Sequence, residues 1–187
     1  MIHETAIVEK GAVLGHDVNV WAFCQVRAGA SIGDGSNLGS HGYIDSDVVI
    51  GKDCKIQTGV RIFRGVTIGD GVFVGPGCIV TNDLRPRAIN ADGTIKRASD
   101  WTVTKTNIGT GASLGAGSII VAGANVGEFA LVGAGSTVTR EVLPHAIVVG
   151  SPARRIGWAC HCGERLVQVD NQWRCPTCQM NVPVPSE

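Results

Sequence analysis

Several things are missing from this 187-residue chain, and each absence excludes something. Net charge is absent: sixteen Lys and Arg balance sixteen Asp and Glu, and no basic block invites a nucleic-acid partner. No apolar run approaches the ~20 residues of a membrane-spanning helix, so no membrane insertion is expected. The opening MIHETAIVEKG has no basic segment followed by an apolar one, so it does not read as a signal peptide, and a cytoplasmic protein is expected. Aromatic residues are only 5%, as a narrow core demands. Also missing is the period-two alternation, with turns every ~8–12 residues, that marks a β-sandwich.

What is present instead is a period of six. Ile2, Val8, Leu14, Val20, Val26, Ile32, Leu38, Ile44, Ile50, Ile56, Ile62, Ile68, Val74 and Val80 are all branched aliphatics at fixed spacing. Four residues after most of them stands something small, such as Ala30, Ser36, Gly42, Cys54 or Cys78. One residue after, Gly recurs at 15, 33, 39, 51, 69 and 75, read as turn glycines that supply positive φ or close approach. This is the hexapeptide signature of a β-helix. Three units make a triangular coil of eighteen residues, and residues eighteen apart stack in one column about 4.8 Å per level. A single coil cannot bury its own inner face, so the coils must stack as a solenoid.

The ladder breaks after Val80 and resumes in a new phase at Ile108, Leu114, Ile120, Val126, Val132 and Val138. Twenty units make about seven coils. Residues 82–101 read as a loop thrown out of the coil, and a long loop in a compact domain carries function or is disordered. Pro144 is expected to end the ladder, with an extended exit to residue 157. The chain therefore divides into a β-helix over 1–157, a cysteine-rich ribbon over 158–181 and a Pro-rich, disordered tail over 182–187.

The seven cysteines fall into two groups. Cys24, Cys54 and Cys78 occupy inward small positions. Cys24 and Cys78 share a column but lie three coils apart, roughly 14 Å at strand spacing. That is too far for a disulfide, and all three read as core thiols. Cys160, Cys162, Cys175 and Cys178 form two close pairs, the pattern of a structural Cys₄ zinc ribbon. Two disulfides, or His161 replacing one thiol, are the alternatives.

Counting in eighteens also assembles a polar corner at the root of the loop. Arg64 lies one coil below Asn82 and Ser46 below that. Asp45, Asp47, Phe63 and Asp83 stand in neighbouring columns, with Arg85 and Arg87 on the loop itself. The competing reading is an ordinary solvated turn corner. His41 maps to a different corner, as a general base or a surface turn residue. His3, His16 and His145 read as surface residues. Small residues at Ala116, Ala134 and Gly150 would let a ligand lie against the wall, and Arg154 and Arg155 could meet phosphates.

Taken together, the ladder, TNDLRPRAINADG, IGTGASLGAGSIIVAG, VGAGSTVTREV and HAIVVGSPARRIGW resemble the left-handed β-helix acyltransferases. More narrowly they resemble the N-acetyltransferases of nucleotide-linked 3-amino sugars, including the type acting on UDP-2-acetamido-3-amino-2,3-dideoxy-glucuronate, in bacterial surface-polysaccharide biosynthesis. Several members also end in a cysteine-pair ribbon. The resemblance implies an all-β, left-handed parallel β-helix and a homotrimer with active sites between subunits. It implies acetyl-CoA in the groove along Ala116, Ala134, Gly150, Arg154 and Arg155. It also implies a nucleotide-sugar acceptor at the loop corner, with Asn82 orienting the amine and Asp83 or His41 accepting a proton. Asp45, Phe63, Arg64, Arg85 and Arg87 would contact the sugar. Two departures stand out: Arg64 replaces an acidic residue common in the family, where it would suit a uronate carboxylate or a diphosphate, and Gly150-Ser151-Pro152-Ala153 replaces G-N-P-A. The alternatives are a dTDP-linked amino sugar or a hydroxyl as acceptor, a carbonic-anhydrase-like metal lyase, or a non-catalytic β-helix trimer.

Overall fold

A computed structural model describes residues 1–185. Two-residue strands recur every six residues, the second residue turned inward and buried from Val20 on, with Val8 and Leu14 in the first coil only half-buried. The first face stacks seven parallel strands: Ile7–Val8, Gln25–Val26, Tyr43–Ile44, Arg61–Ile62, Ile79–Val80, Ile119–Ile120 and Thr137–Val138. The second stacks Val13–Leu14, Ser31–Ile32, Val49–Ile50, Val66–Ile68 and Thr106–Ile108, then continues as single bridges through Val126 and Val142. The third runs from an isolated bridge at Ile2 through Asn19–Val20, Asn37–Leu38, Lys55–Ile56, Phe73–Val74, Ser113–Leu114 and Leu131–Val132 to Ala146–Gly150. The result is a parallel β-solenoid of seven coils and part of an eighth. Its register is the eighteen-residue step, with Ile44 beside Ile62 and Ile62 beside Val80.

The core is a single column of branched side chains. Ile32, Leu38, Ile44, Ile50, Ile56, Ile62 and Ile68 are all at most 2% exposed. Burying each such side chain contributes about 1.5–3 kcal/mol. The small partners Ala30, Ser36, Val48, Cys54, Val60 and Cys78 fill the corners at 0% exposure. Among the described residues the first coil is the least covered, with Ile2 54% exposed and Val8 and Leu14 half-buried.

The structure decides one open expectation in favour of close approach and corrects three others. First, the glycines one residue after the aliphatic do not supply the left-handed turn. That conformation falls two residues later, at Asp17, Phe23, Gly29, Gly35, His41, Asp47 and onward. Gly39 is needed for close approach instead: a Cβ there would lie 2.6 Å from the carbonyl carbon of Gln57. Second, the ladder does not end at Pro144. Val142 bridges Val126, and Val148 pairs with Val132. The step from Val138 to Val142 is four residues, which hides the continuation from a strict period of six. Third, the loop spans 81–105, because strand pairing resumes only at Thr106 beside Val66. Fourth, Val182 is 3% exposed and its N–H donates to the Trp173 carbonyl, so that part of the tail is packed. Residues 186 and 187 lie outside the described residues.

The third face ends in a hairpin: Ala153–Trp158 returns antiparallel to Ala146–Gly150 through a turn containing a cis Ser151–Pro152 bond. The ribbon that follows carries its own small hairpin, Val167–Val169 with Gln172–Arg174. Trp158, Cys160, Leu166, Cys175 and Val182 extend the same apolar cluster as the solenoid. His145 anchors the junction. It was expected at the surface but is 8% exposed, stacks on Phe129 at 5.4 Å and has Nδ1 2.9 Å from the Ala159 carbonyl oxygen. Burial lowers its pKa.

The two glycine roles respond differently to substitution. Gly39→Ala is expected to lower unfolding free energy by about 2–3 kcal/mol, because backbone must move to admit the methyl group. Gly77 has φ +68°, and a Cβ added there would meet nothing within 4 Å, so Asn should be accepted at a cost below about 1 kcal/mol. Chemical denaturation of the two variants measures this, and equal costs would contradict the assignment.

Candidate functional site

The loop leaves the solenoid at the corner between the first and second faces and returns to it. Thr104 N–H donates to the Asn82 carbonyl at 3.0 Å, and Thr106 N–H to the Gly65 carbonyl at 3.2 Å. The ladder therefore resumes where it stopped. Between these anchors the loop holds its own shape. Ile89 and Ile95 form an antiparallel bridge, and the Asp100 carboxylate accepts from Arg97 N–H at 2.8 Å and from the Asn90 side chain at 3.3 Å. These contacts hold the Asp100 pKa below its ordinary value, the Arg97 amide chiefly.

Beneath the root, the polar residues divide into engaged and available groups. Asp45 is engaged: Oδ1 accepts from Tyr43 O–H at 3.1 Å and Ser46 N–H at 2.8 Å, and Oδ2 accepts from Arg64 N–H at 3.2 Å. Its carboxylate ties two coils together at the corner. Tyr43 in turn accepts from Arg27 at 3.3 Å and packs its ring 5.8 Å from that of Phe63. Asp83 Oδ1 accepts from Arg85 N–H at 2.8 Å, an Asx turn that starts the loop. Asn82 differs: its side-chain amide makes no hydrogen bond among the described residues, and it is half-buried. Arg64 pairs through Nη2 with Asp47 Oδ2 at 2.8 Å. Arg85 and Arg87 are exposed on the loop, Arg87 reaching the Pro86 carbonyl at 3.4 Å.

The small residues occupy the other edge of the same face. Ala116 and Ala134 stand exposed at the corner between the third and first faces, directly stacked, with Gly135 N–H donating to the Ala116 carbonyl at 2.8 Å. Gly150 closes this column, its N–H donating to Ser136 Oγ at 3.1 Å. Arg154 and Arg155 follow on the return strand: Arg154 bonds the Ala153 carbonyl at 2.9 Å, and Arg155 lies 4.4 Å over the Trp158 ring. His41 belongs to this corner too. It stacks on Phe23 at 5.0 Å, at φ 57°. The first face thus separates Asn82 on one edge from His41 and the small-residue column on the other, and one chain does not bring Asn82 and His41 together.

The ribbon gathers four thiols. The sulfurs of Cys160, Cys162, Cys175 and Cys178 all lie within 4.8 Å of one another, with Cys160–Cys178 at 3.4 Å and Cys162–Cys175 at 3.6 Å. Four sulfurs bound tetrahedrally to one zinc at ~2.3 Å would sit about 3.8 Å apart, so this donor set fits zinc. His161 is turned away, edge-on to Phe129 at 4.3 Å and to His145 at 4.8 Å. The Cys175 thiol is lowered to about 7, first by the Cys178 N–H, and burial pushes Cys160 up to about 12. Burial likewise pushes Cys24 and Cys78 up to about 11.

Two contributors to the loop corner were missed from sequence. Tyr43 stands on the first face one coil below Arg61, outside the corner columns. Lys105 lies past the expected end of the loop, yet aligning Ile108 with Ile68 puts it level with Gly65.

Comparison with known proteins places the repeat. Residues 47–82 match the bacterial transferase hexapeptide model (six repeats), and residues 29–64 and 105–140 match the hexapeptide repeat of succinyl-transferase. A stretch of 71 residues is 42% identical to a dTDP-3-amino-3,6-dideoxy-alpha-D-galactopyranose 3-N-acetyltransferase from Aneurinibacillus thermoaerophilus; it spans 38% of this chain and 37% of that protein. Among solved structures, an acetyltransferase-like product from Bacillus cereus matches with a TM-score of 0.56 at 21% identity, covering 81% of this chain and 76% of that one. The acetyltransferase domain of PglB from Neisseria gonorrhoeae, in complex with acetyl coenzyme A, matches with a TM-score of 0.50 at 19% identity, covering 83% of this chain and 56% of that one. At these identities the structural likeness establishes the fold.

The two cysteine groups are expected to separate chemically. With a metal chelator and no denaturant, a thiol reagent should titrate the four ribbon thiols, and Cys24, Cys54 and Cys78 only after unfolding. Reaction of a core thiol in the folded protein would contradict their assignment.

Proposed function

We propose that this chain, a hexapeptide-repeat protein of the bacterial transferase type, is an acetyl-CoA-dependent N-acetyltransferase acting on the 3-amino group of a nucleotide-linked sugar. The observation that carries this reading is the arrangement about the first face. A half-buried amide, Asn82, makes no side-chain hydrogen bond among the described residues and stands at the root of a shaped loop. Across the face runs a column of Ala116, Ala134 and Gly150 that a ligand can lie against. The 42% identical relative is named for a reaction of this kind, and the gonococcal domain of the same fold binds acetyl coenzyme A.

The reaction needs little enzymic chemistry. A deprotonated amine attacks the thioester carbonyl carbon, the carbon–sulfur bond breaks, and the thiol of CoA leaves with the electron pair and takes up a proton. Positioning supplies much of the rate in such a transfer. Asn82 accepts a hydrogen bond from the amine and aims it. Asp83 or His41 takes the proton, His41 from a neighbouring subunit, since one chain holds it across the face from Asn82. Backbone N–H groups of the small-residue column stabilise the oxyanion. Arg154 and Arg155 meet the cofactor's phosphates, while Phe63, Arg85 and Arg87 border the acceptor. Asp45 supports the corner through Tyr43, Ser46 and Arg64 and reaches the acceptor only indirectly.

This reading includes a homotrimer, a structural zinc held by Cys160, Cys162, Cys175 and Cys178, and a cytoplasmic site of action. No helix among the described residues is long and apolar enough to cross a membrane. Bound there, zinc would supply folding energy to a segment too small to fold on its own apolar burial. A dTDP-linked 3-amino-6-deoxy sugar is the second acceptor worth testing, favoured by the name of the relative.

Purified protein with acetyl-CoA and a panel of UDP- and dTDP-linked 3- and 4-amino sugars tests the reading through released thiol. Asn82→Ala should lower kcat by about 100-fold or more while oligomeric state and melting temperature hold. Wild-type rates in that variant would remove Asn82 from the mechanism.

A further inference from the structure

Arg64 does not point into empty solvent. Its guanidinium meets Asp47 one coil below, Nη2 to Oδ2 at 2.8 Å, and the two side chains are 55% and 54% exposed. With Gly65, Val103 and Lys105 they line an open cleft of about 390 Å³. Lys105 makes no ion pair among the described residues. Continuing the eighteen-residue register past Ile62 and Val80 puts Arg64 one coil below Asn82, so the cleft lies beneath the loop root.

Asp47 departs from the glycines of its own column, although Asp17 and Asp53 fill the same turn position at another corner, Asp53 with an oxygen over Gly35 as Asp47 has over Gly29. Asp47 occupies the left-handed turn position at φ 58°, and the residues above and below it in that column are Gly65 at φ 88° and Gly29 at φ 82°. The turn therefore does not require a side chain. The carboxylate is an addition, with one oxygen over Gly29 and the other on Arg64. Two cations and a single carboxylate leave the cleft cationic.

Resting on the acceptor reading above, we propose that Asp47 is an internal stand-in for an anionic group of the acceptor, and that Arg64 and Lys105 bind that group once it displaces the carboxylate. An exposed Arg–Asp pair is weakly held and easily opened. A phosphate or carboxylate engages a guanidinium through two parallel hydrogen bonds, and the nearby ammonium adds a second attraction that Asp47 does not collect. Asp47 thus keeps Arg64 positioned in the free enzyme and sets a threshold that a neutral ligand does not pass. Arg64 and Lys105 are specificity determinants: they grip an anionic group of the acceptor and do not touch the reacting amine.

Three single variants test this: Asp47→Asn, Arg64→Gln and Lys105→Gln. Their kcat and KM are measured with a UDP-linked 3-amino uronate, a UDP-linked neutral 3-amino sugar and a 3-amino sugar without nucleotide. Asp47→Asn should lower the KM for the nucleotide-linked acceptors about threefold. Arg64→Gln should raise it about tenfold or more, Lys105→Gln about threefold, with kcat within about twofold. A loss confined to the uronate assigns the cleft to the carboxylate; an equal loss on both nucleotide-linked acceptors assigns it to the diphosphate. An equal loss on the sugar without nucleotide, or a raised KM in Asp47→Asn, overturns the proposal. Wild-type turnover reports on acetyl transfer separately from these ratios. If no acceptor turns over, calorimetric titration of the two UDP-linked sugars into wild type and Arg64→Gln decides the cleft alone: equal affinity overturns it. Arg64→Lys, which keeps charge without the fork, separates loss of binding from misfolding by retaining part of the affinity.

Discussion

A coil of this solenoid cannot exist alone. Its three two-residue strands enclose only a few side chains, and each strand finds its hydrogen-bond partners in the coils above and below. Everything else follows from that dependence. The inward position must be branched and apolar on every face, because Ile44, Ile62 and Val80 complete one another's burial. The corner must hold small residues because the interior narrows there, and in the regular units from Val8 to Val74 the turn visits the left-handed region once. None of these inward positions is free to do chemistry without opening the column, so function is confined to corners, outward positions and interruptions.

The interruption after Val80 satisfies the stacking rule while breaking the period. The chain leaves and re-enters at one corner, and Ile68 pairs with Ile108 as if the intervening residues were absent. The solenoid bears no cost in register, and the loop gains a rigid footing. That footing places Asn82, Arg64 and Asp47 in adjoining levels at one edge of a face whose other edge is a bare column of Ala116 and Ala134. The ribbon follows the same logic at the far end, where Trp158, Cys160 and Leu166 cover apolar surface that the last coil would otherwise expose.

How much of this was legible in the chain depended on whether geometry was set by the repeat. The faces, the columns, the isolation of Cys24 from Cys78 and the position of Arg64 beneath Asn82 all came from counting, because strand stacking fixes register rigidly. The convergence of four ribbon thiols was legible from spacing. Side-chain commitments were not. Nothing in the residue pattern says that Asp45 spends both oxygens on its own corner, or that Arg64 turns down onto Asp47. His145 looked exposed because its covering residues, Phe129 and His161, arrive from a neighbouring coil and from the ribbon. The four-residue step to Val142 hid the last rungs for a simpler reason: a corner shortened by two residues falls out of any fixed-period count.

Repeat and interruption divide the molecule, the one structural and the other functional. Residues 83–104 are the length whose removal restores an eighteen-residue step between Ile68 and Ile108. The decisive measurement is the acetyl-transfer rate of that shortened chain, with folding followed in the same samples by circular dichroism. The expected result is an intact β-solenoid that melts within a few degrees of the full chain and turns over acceptor at under about 1% of its rate. A folded, shortened protein with undiminished turnover would contradict the division.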